Sequence, residues 1–281
     1  MTDPYVYANT NVLINNYGIK DSAQLSRVEA HAYTKAVMEG IPKGDFSLDH
    51  LKNTHKALFG EVYSWAGEIR TVDISKGDTL FCRNEFIQSE ATKLLRELKT
   101  ENFLAGHKDN PDKMVERLAH YFAEINAIHP FREGNGRTNR EFIRQIAEYN
   151  GMTLDFQKMN REEYIQASIA STHFDNRQLE HLFKNALTPV IQHDKSTEVN
   201  NTTLKITKET TTQEVLNFFK EHNSNLVENI TKTNTVDYQG HQLNLGYLKP
   251  KDLANALNQQ SNNVAKIELS LDRILDKSLS R

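Results

Sequence analysis

The sequence predicts a mainly α-helical domain with one β-hairpin, followed by a small α-rich appendage. Apolar residues recur at three- and four-residue steps over most of the first two thirds of the chain, as they do in amphipathic helices. One segment there instead alternates apolar and polar residues, a pattern typical of strands. The length of 281 residues exceeds that of a usual single domain and leaves room for an appendage.

The composition divides the chain into three parts. Residues 1–190 form the predicted core domain, in which the turn-rich residues 5–20 are an N-terminal arm laid over the helices. Residues 191–212 are polar and rich in threonine, with little helical periodicity, and are therefore interpreted as a linker. Residues 213–281 form the appendage, for which a regulatory role is one hypothesis.

Helices are predicted where the apolar spacing continues for ten or more residues. Four of them follow a Ser or Asn, whose side-chain oxygen can accept from the first backbone N–H groups of a helix. In the core domain, five predicted helices are Ser22–Met38, Met114–Ile128, Arg137–Asn150, Asn160–Ala170 and Arg177–Leu187, of which the last has Asn176 as its cap. A sixth is capped by Ser47 and carries Leu48, Leu51 and Leu58. A seventh is capped by Asn84 and runs to Leu98, with Phe86 facing inward. In the appendage, Glu214–Lys220 and Leu253–Leu279 are predicted helices, and Val236–Leu245 is a predicted short hairpin.

The strand-like segment is Ile69–Cys82, which is predicted to form a β-hairpin that turns at Lys76-Gly77-Asp78. Its apolar and β-branched residues lie on both sides of this turn. By itself the pattern indicates no more than a surface hairpin that connects helices.

The bulk properties argue against several classes of partner. A net charge of −3 gives no electrostatic case for binding nucleic acid or a membrane, both of which favour basic patches. The single cysteine, Cys82, excludes an internal disulfide and fits a reducing compartment. The N-terminus lacks the basic and apolar regions of a signal peptide, and no window is apolar enough to span a membrane. Cytoplasmic synthesis is expected, and export by a specialised secretion machine remains compatible with it.

The chemically richest stretch is His129-Pro130-Phe131-Arg132-Glu133-Gly134-Asn135-Gly136-Arg137-Thr138-Asn139-Arg140. Pro130 ends the preceding helix, because proline lacks an N–H and displaces the residue before it from the helical region. Gly134 and Gly136 are expected to adopt backbone angles closed to most residues, so that successive N–H groups form a concave anion site. The helix that follows directs its unpaired N–H groups and positive dipole end at the same anion.

The side chains of this stretch suit a nucleotide phosphate chain. Arg137 and Arg140 lie three residues apart, so both guanidinium groups can reach one polyphosphate. His129 has a reference pKa near neutrality and can accept a proton at the rim of the site. Glu133 offers the hard oxygen ligands that a phosphate-bound magnesium ion prefers.

Two other site types are excluded by the same residues. His129 and Glu133 have the spacing of a metal-binding helix, but Pro130 and Gly134 break that helix, and no second His or Cys stands at ligand spacing. A P-loop is also excluded. Its last glycine is followed by Lys and then by Ser or Thr, whereas Gly136 is followed by Arg137 and then by Thr138.

These residues match the signature H-x-F-x-[DE]-G-N-G-R-x-x-R of the Fic (filamentation induced by cAMP) family at every fixed position. The resemblance covers roughly residues 5–190 and implies a Fic-type helical bundle with a hairpin flap. It also implies a protein adenylyltransferase, which moves AMP from Mg-ATP to a Ser, Thr or Tyr hydroxyl of a target protein. Proteins that this chain resembles include bacterial toxins acting on type II topoisomerases and effectors delivered into host cells.

The resemblance assigns a role to each motif residue. His129 is the general base, Phe131 anchors the loop and Glu133 holds magnesium. The phosphates are cradled by Gly134, Asn135 and Gly136 and bound by Arg137 and Arg140, of which Arg140 reaches the distal one.

Outside the motif, the resemblance implies contacts from two further regions. Residues 69–82 become a flap that aligns the target segment by strand addition, a mode that demands little of the target's side chains. Lys76 and Gly77 at its tip approach the nucleotide, and Tyr164 lines the adenine pocket.

Alternatives to transfer remain open at this point. A related branch with Lys at the second glycine acts as a kinase, and Gly136 argues against membership of it. A catalytically idle binding module is a second hypothesis, and removal of AMP from modified proteins by the same site is a third. Some Fic enzymes use an additional glutamate to position water for that reverse reaction.

Inhibition has two candidate sources. Many Fic proteins are restrained by a helix with the pattern [ST]-x-x-x-E-[GN], whose glutamate pairs with the second motif arginine and displaces the γ-phosphate. Ser224 to Asn229 resembles this pattern, which would set Glu228 against Arg140. The alternative is that Ser224 and Glu228 are solvated and that a separate, small antitoxin-like protein inhibits the site.

Overall fold

A computed structural model of the chain describes residues 3–77, 79–189, 202–206, 210–238, 241–260 and 267–271. It divides into two compact units, Met1–Ile191 and Gln192–Arg281. The first unit is a helical bundle with short strands, as the sequence predicts, and the second mixes helices with strands.

The elements of the first unit follow one another through mostly short connections. Its helices are α1 (Ser22–Glu39), α2 (Leu48–Phe59), α3 (Ile87–Thr100), α4 (Pro111–Ile128), α5 (Asn135–Tyr149), α6 (Arg161–Ser171) and α7 (Arg177–Ala186). Its strands are β1 (Ser75–Lys76), β2 (Thr79–Leu80), β3 (Met152–Leu154) and β4 (Leu187–Pro189).

The core of this unit lies around α4 and α5. Helix α4 packs against α3, α5, α6 and α7, and α5 also packs against α2 and β3. Leu118 and Phe122 of α4 and Phe142 and Ile146 of α5 are buried. Burying each such side chain contributes about 1.5–3 kcal/mol relative to leaving it exposed. This central pair of helices holds the ends of the loop that carries the first half of the motif.

The helix boundaries agree with the sequence within a few residues, but not every predicted cap forms. The side chains of Ser47 and Asn160 accept from backbone N–H groups of α2 and α6. Asn84 and Asn176 were expected to do the same and do not. Asn84 instead lies in a short 3-10 turn and donates to Asp73 at 2.9 Å. Phe86 is half exposed rather than buried, because α3 begins only at Ile87.

The predicted hairpin is present but short. Only β1 and β2 pair, with Ser75 opposite Leu80 and Lys76 opposite Thr79, so the rest of Ile69–Cys82 is irregular. Gly77 has a φ of +57°, which the tight turn requires and glycine adopts freely. Asp78 lies outside the described residues. A second pairing, β3 with β4, joins the residues after α5 to those after α7 and is not apparent from the sequence.

The arm of residues 5–20 contains no helix and contacts the region after α2. Asn16 donates to the carbonyl of Glu61 at 3.1 Å, and the ring of Tyr5 lies edge-on to Trp65 with centroids 5.6 Å apart. These contacts bring the start of the chain beside the segment that leads into the hairpin.

The second unit has its own core. It contains β5 (Thr202–Ile206), α8 (Thr212–His222), α9 (Ser224–Thr233), β6 (Thr235–Tyr238), β7 (His241–Asn244), α10 (Pro250–Gln260) and β8 (Ile267–Leu271). The hairpin of β6 and β7 and the first predicted helix are present. The helix predicted over Leu253–Leu279 is present as α10 up to Gln260 and is wrong at Ile267–Leu271, where β8 pairs in parallel with β5. The rest of that prediction lies outside the described residues. β5 itself falls inside the predicted linker.

None of the described helices is long and apolar enough to cross a membrane.

Candidate functional site

The loop between α4 and α5 begins at His129, which ends α4 in a left-handed conformation (φ +49°, ψ +61°). Its Nδ1 lies 3.0 Å from the carbonyl oxygen of Asn126. A carbonyl accepts only, so Nδ1 carries the proton and Nε2 is the basic nitrogen. The loop therefore presents a neutral imidazole whose free lone pair is on Nε2.

The imidazole is held neutral by its surroundings. The ring of Phe81, at the end of the hairpin, stacks on it with centroids 3.7 Å apart. Burial lowers the pKa of His129 to about 4, and the nearby cations Arg70 and Lys76 act in the same direction. His129 is thus unprotonated and able to accept a proton throughout the physiological pH range.

Phe131 anchors the next part of the loop. Its ring is buried and stacks on His55 of α2, with centroids 3.9 Å apart. His55 accepts from the N–H of Gly67 at Nδ1, which leaves the proton on Nε2 to donate to the carbonyl of Glu133 at 2.9 Å. Burial lowers the pKa of His55 to about 4, consistent with this neutral form. One buried histidine thereby supports both a side chain and a carbonyl of the motif.

Asn135 closes the loop on itself. Its Oδ1 accepts from the N–H of Phe131 at 2.9 Å, and its Nδ2 donates to the carbonyl of the same residue at 2.7 Å. The side-chain amide is therefore occupied by the loop, which leaves the backbone N–H of Asn135 as the group that could bind a phosphate at the start of α5.

The N-terminus of α5 has the features of an anion site. Gly134 is its N-cap residue, and no side chain caps this end. The first backbone N–H groups of a helix have no partner within it, and they carry the positive end of the helix dipole. A phosphate placed here would satisfy them.

The two motif glycines, Gly134 and Gly136, have different structural roles. Gly134 has a φ of +80°, and a Cβ there would lie 2.5 Å from Cε2 of Phe59. Gly136 was expected to need unusual backbone angles and does not, since it lies within α5 and its φ is not positive. A Cβ at Gly136 would meet only Nη1 of Arg140, at an ordinary 3.6 Å. Gly136 therefore leaves room beside the arginine, whereas Gly134 shapes the backbone.

This difference predicts opposite effects of alanine. Gly134→Ala should lower the free energy of unfolding by at least about 2 kcal/mol, because it adds backbone strain and a clash with Phe59. Gly136→Ala should leave it unchanged or raise it by up to about 1 kcal/mol, since alanine favours helix over glycine. Urea denaturation of both variants measures the difference. Equal losses would contradict the assignment of Gly134 as the shaping residue.

Arg137 is held by an acidic partner on α1. Its Nη2 lies 2.6 Å from Oε1 of Glu29, whose other oxygen accepts from the hydroxyl of Tyr63 at 2.5 Å. The guanidinium also lies over the ring of Phe59, 4.5 Å from its centroid. Arg137 is therefore oriented before any ligand arrives.

Arg140 is oriented differently. Its guanidinium lies over the ring of Tyr164 on α6, 5.7 Å from the centroid. Among the described residues of the first unit, no carboxylate lies within 4.0 Å of it. Arg140 thus has no acidic partner among the described residues of this unit. Its guanidinium lies near both the ring of Tyr164 and the side of α5 that Gly136 leaves without a side chain.

Glu133 is half exposed at the mouth of the loop, where its Oε1 accepts from the N–H of Gly134 at 3.0 Å. Its nearest cation is Arg137, at 3.8 Å. Within the described residues no group of three or more His, Cys, Asp or Glu could hold a metal ion. A single carboxylate suits a magnesium ion that takes its other ligands from phosphates and water.

The remaining predicted residues fall into two groups. Lys76 is exposed on β1 and close enough to His129 to lower the pKa of that imidazole, and Gly77 follows it at the hairpin turn. Ser224 and Glu228 lie in the second unit, where Ser224 is the first residue of α9 and Glu228 lies one turn further along it. The serine hydroxyl donates to Oε1 of Glu228 at 3.2 Å. Their pairing with Arg140 stays a prediction.

Comparisons with known proteins identify the family of this chain. The Fic/DOC family model matches residues 45–147. The probable protein adenylyltransferase Fic of Salmonella typhimurium is 37% identical over 187 residues, which are 66% of this chain and 92% of that protein. The chain belongs to the Fic/DOC family. The protein adenylyltransferase VbhT of Bartonella schoenbuchensis is 43% identical over 189 residues, but the match spans only 39% of VbhT.

Solved Fic structures share the fold of the first unit. The N-terminal Fic domain of a putative cell filamentation protein from Bartonella quintana, with bound ADP, has a TM-score of 0.60 at 28% identity. The match covers 66% of this chain and 94% of that one. BepC of Bartonella tribocorum, with bound AMPPNP, has a TM-score of 0.59 at 27% identity. That match covers 66% of this chain and 96% of the BepC chain.

Several residues that support this Fic motif were missed in the sequence. His55, Glu29, Phe81 and Arg70 all lie outside the signature, and each contacts it from a distant part of the chain. Arg70 carries the one available signal, a charge between the apolar residues Ile69 and Val72 of the predicted hairpin. A charge in such a segment indicates either an edge position or a buried partner.

Proposed function

We propose that this chain is a protein adenylyltransferase, which transfers AMP from Mg-ATP to a Ser, Thr or Tyr hydroxyl of a target protein. The observation that carries the proposal is the loop itself, in which the basic Nε2 of His129 borders an uncapped helix N-terminus with two arginines. The relatives named protein adenylyltransferases and the Fic structures with bound ADP and AMPPNP support it.

The chemistry begins with a proton transfer. Nε2 of His129 accepts the proton of the target hydroxyl while the hydroxyl oxygen attacks the α-phosphorus of ATP. The new bond joins that oxygen to phosphorus, and the bond from the α-phosphorus to the bridging oxygen breaks, which releases pyrophosphate. A positioned general base of this kind contributes about 10²- to 10⁴-fold.

The phosphates are stabilised by the start of α5. The backbone N–H groups at Asn135 and Gly136 and the guanidinium groups of Arg137 and Arg140 donate to their oxygens. Because these groups are oriented in advance, little reorganisation is needed as negative charge shifts to the departing pyrophosphate. Glu133 would hold a magnesium ion, which when bound neutralises phosphate charge. Tyr164 borders the adenine.

The hairpin offers a surface for the target. Ser75 and Lys76 of β1 and Leu80 of β2 are exposed. An extended target segment adds to such an edge through backbone hydrogen bonds. The stack of Phe81 on His129 places this edge beside the base.

Labelling with two forms of ATP tests the proposal. The chain is incubated with magnesium, a bacterial lysate and ATP labelled either at the α- or at the γ-phosphate. Transfer of AMP labels proteins from α-labelled ATP alone, whereas a kinase labels them from γ-labelled ATP. A binding module without activity labels nothing from either.

Glu133 provides a test of the magnesium site. Glu133→Gln should weaken Mg-ATP binding about tenfold, and raising the magnesium concentration should partly restore it, as expected for the loss of one ligand among several. Calorimetry at several magnesium concentrations measures this. Glu85→Gln, which changes an exposed carboxylate on the 3-10 turn before α3, is a suitable control. Weakened binding that magnesium does not restore would indicate a collapsed loop.

Inhibition of the site has an internal and an external candidate. If Glu228 pairs with Arg140, Glu228→Gly should raise labelling severalfold by opening the position of the γ-phosphate. Glu221→Gly is the matched control, because Glu221 is an exposed glutamate at the end of α8. Unchanged labelling in both variants would remove Glu228 from the mechanism and leave a separate, antitoxin-like protein as the candidate inhibitor.

A further inference from the structure

Arg70 lies outside the signature, yet it is the largest fully buried side chain of the described residues. Its guanidinium donates to four backbone carbonyls. Nε bonds to that of His129 at 2.9 Å and Nη1 to that of Val72 at 2.6 Å, while Nη2 bonds to those of Cys82 and Ile128. Two of these carbonyls end α4 at the general base, and the other two flank the hairpin.

Backbone hydrogen bonds join the same two parts of the chain. The N–H of Arg70 donates to the carbonyl of Pro130 at 2.9 Å, and the N–H of Cys82 donates to that of Ala127 at 3.0 Å. The segment that contains the hairpin is therefore fixed at one end to the motif loop and at the other to the last turn of α4. Arg70 is the residue whose side chain contacts both ends and the loop at once.

The chemistry of arginine suits this position. The last carbonyls of a helix lack partners within it and carry the negative end of its dipole, so a cation that donates to Ile128 and His129 is favourable there. In the described part of the chain its only carboxylate neighbour is the half-exposed Asp73, at 4.0 Å. The carbonyls thus provide most of the compensation for burying the charge. Lysine has three donors on a single nitrogen and cannot reach four carbonyls in these directions.

The base needs such support because of its backbone. His129 has a φ of +49°, a conformation that residues with a Cβ seldom adopt and that surrounding contacts must maintain. The bond from Nε of Arg70 fixes the carbonyl of this strained residue, while the ring of Phe81 covers its imidazole.

We propose that Arg70 is a positioning residue for AMP transfer, which fixes the carbonyl of His129 and both ends of the hairpin in one rigid frame. A target hydroxyl aligned along the hairpin then meets Nε2 of His129 in the correct place. The inference rests on the proposed function, since it concerns the geometry between base and target. It assigns Arg70 no contact with ATP.

The substitution Arg70→Lys separates position from charge. It retains a cation near His129, where Arg70 and Lys76 are the charged groups that act on the imidazole, so the pKa of His129 should not move. The matched control is Arg117→Lys. Arg117 is a partly buried arginine on α4 that pairs with Glu101 and Tyr121, far along the helix from the motif.

The expected result is a split between rate and binding. Arg70→Lys should lower kcat for labelling lysate proteins from α-labelled ATP by about tenfold or more, since small misplacements of reacting groups are costly. KM and Kd for Mg-ATP should stay within about twofold, because the phosphate-binding groups are untouched. The midpoint of the pH profile should not shift. Amide hydrogen exchange in residues 72–82 should accelerate in Arg70→Lys and not in Arg117→Lys.

Two results would overturn the inference. One is equal kcat in the two variants when each is measured at a temperature where it is fully folded. The other is a parallel loss of kcat and Mg-ATP affinity in Arg70→Lys, which would indicate general disruption. Absence of labelling by the unaltered chain would instead count against the proposed function, and hydrogen exchange would still show whether Arg70 holds the hairpin to the loop.

Discussion

His129→Ala is expected to lower the rate of AMP transfer by about 10³-fold while changing the Kd for Mg-ATP by less than about twofold. In the proposed mechanism the imidazole acts on the target hydroxyl. Its contacts in the described part of the chain are with Asn126 and Phe81, so its removal should leave the start of α5 intact. The rate is measured with α-labelled ATP and a lysate, and the Kd by calorimetry on the same preparation. His181→Ala, at an exposed position on α7, controls for the loss of a histidine as such.

The pKa of His129 adds a test of its role. Burial lowers this pKa to about 4, so the base form predominates from about pH 5 upward and the transfer rate should not fall between pH 7 and pH 5.5 on its account. An unperturbed histidine would lose most of its base form over that range. Loss of both transfer and ATP binding in His129→Ala would mean that the loop has collapsed. A wild-type rate would remove His129 from the mechanism.

The motif was predictable from the sequence because its structure is determined locally. Pro130 excludes continuation of α4, Gly134 permits the left-handed turn, and the residues from Asn135 onward have helical spacing. Each of these effects acts within a few residues along the chain. The general position of the proposed phosphate site therefore follows from twelve consecutive residues.

The support of the motif was not predictable, because it comes from contacts distant in sequence. His55 meets Glu133 across 78 positions and Glu29 meets Arg137 across 108. Neither His55 nor Glu29 differs locally from an ordinary helical residue. Their partners depend on how α1 and α2 pack near α5. Apolar periodicity predicts which face of a helix is packed, but it does not predict which helix packs against that face.

The error in the second unit has a related cause. Residues 267–271 alternate polar and apolar side chains and also fit the three- and four-residue spacing of a helix, so periodicity alone does not decide between them. Pairing with β5, more than sixty positions away, selects the strand. Parallel pairing of this kind leaves no turn signal between its strands, in contrast to the hairpin of β6 and β7.

The two motif arginines are expected to respond differently to alanine. Arg140→Ala should weaken Mg-ATP binding by about 10²-fold with little change in the free energy of unfolding, since Arg140 has no carboxylate partner among the described residues of its unit. Arg137→Ala should weaken binding too, but it also leaves the mostly buried carboxylate of Glu29 without its cation. That loss should lower the free energy of unfolding by about 2 kcal/mol.

A second substitution isolates the cause of this difference. Glu29→Gln combined with Arg137→Ala removes the uncompensated charge, so the double variant should recover stability relative to Arg137→Ala without recovering ATP affinity. Urea denaturation and calorimetry measure the two quantities separately. If Arg140→Ala instead destabilises the chain as much as Arg137→Ala does, Arg140 has a structural partner. Its guanidinium would then not be available to the distal phosphate, and the assignment of the two arginines would have to be exchanged.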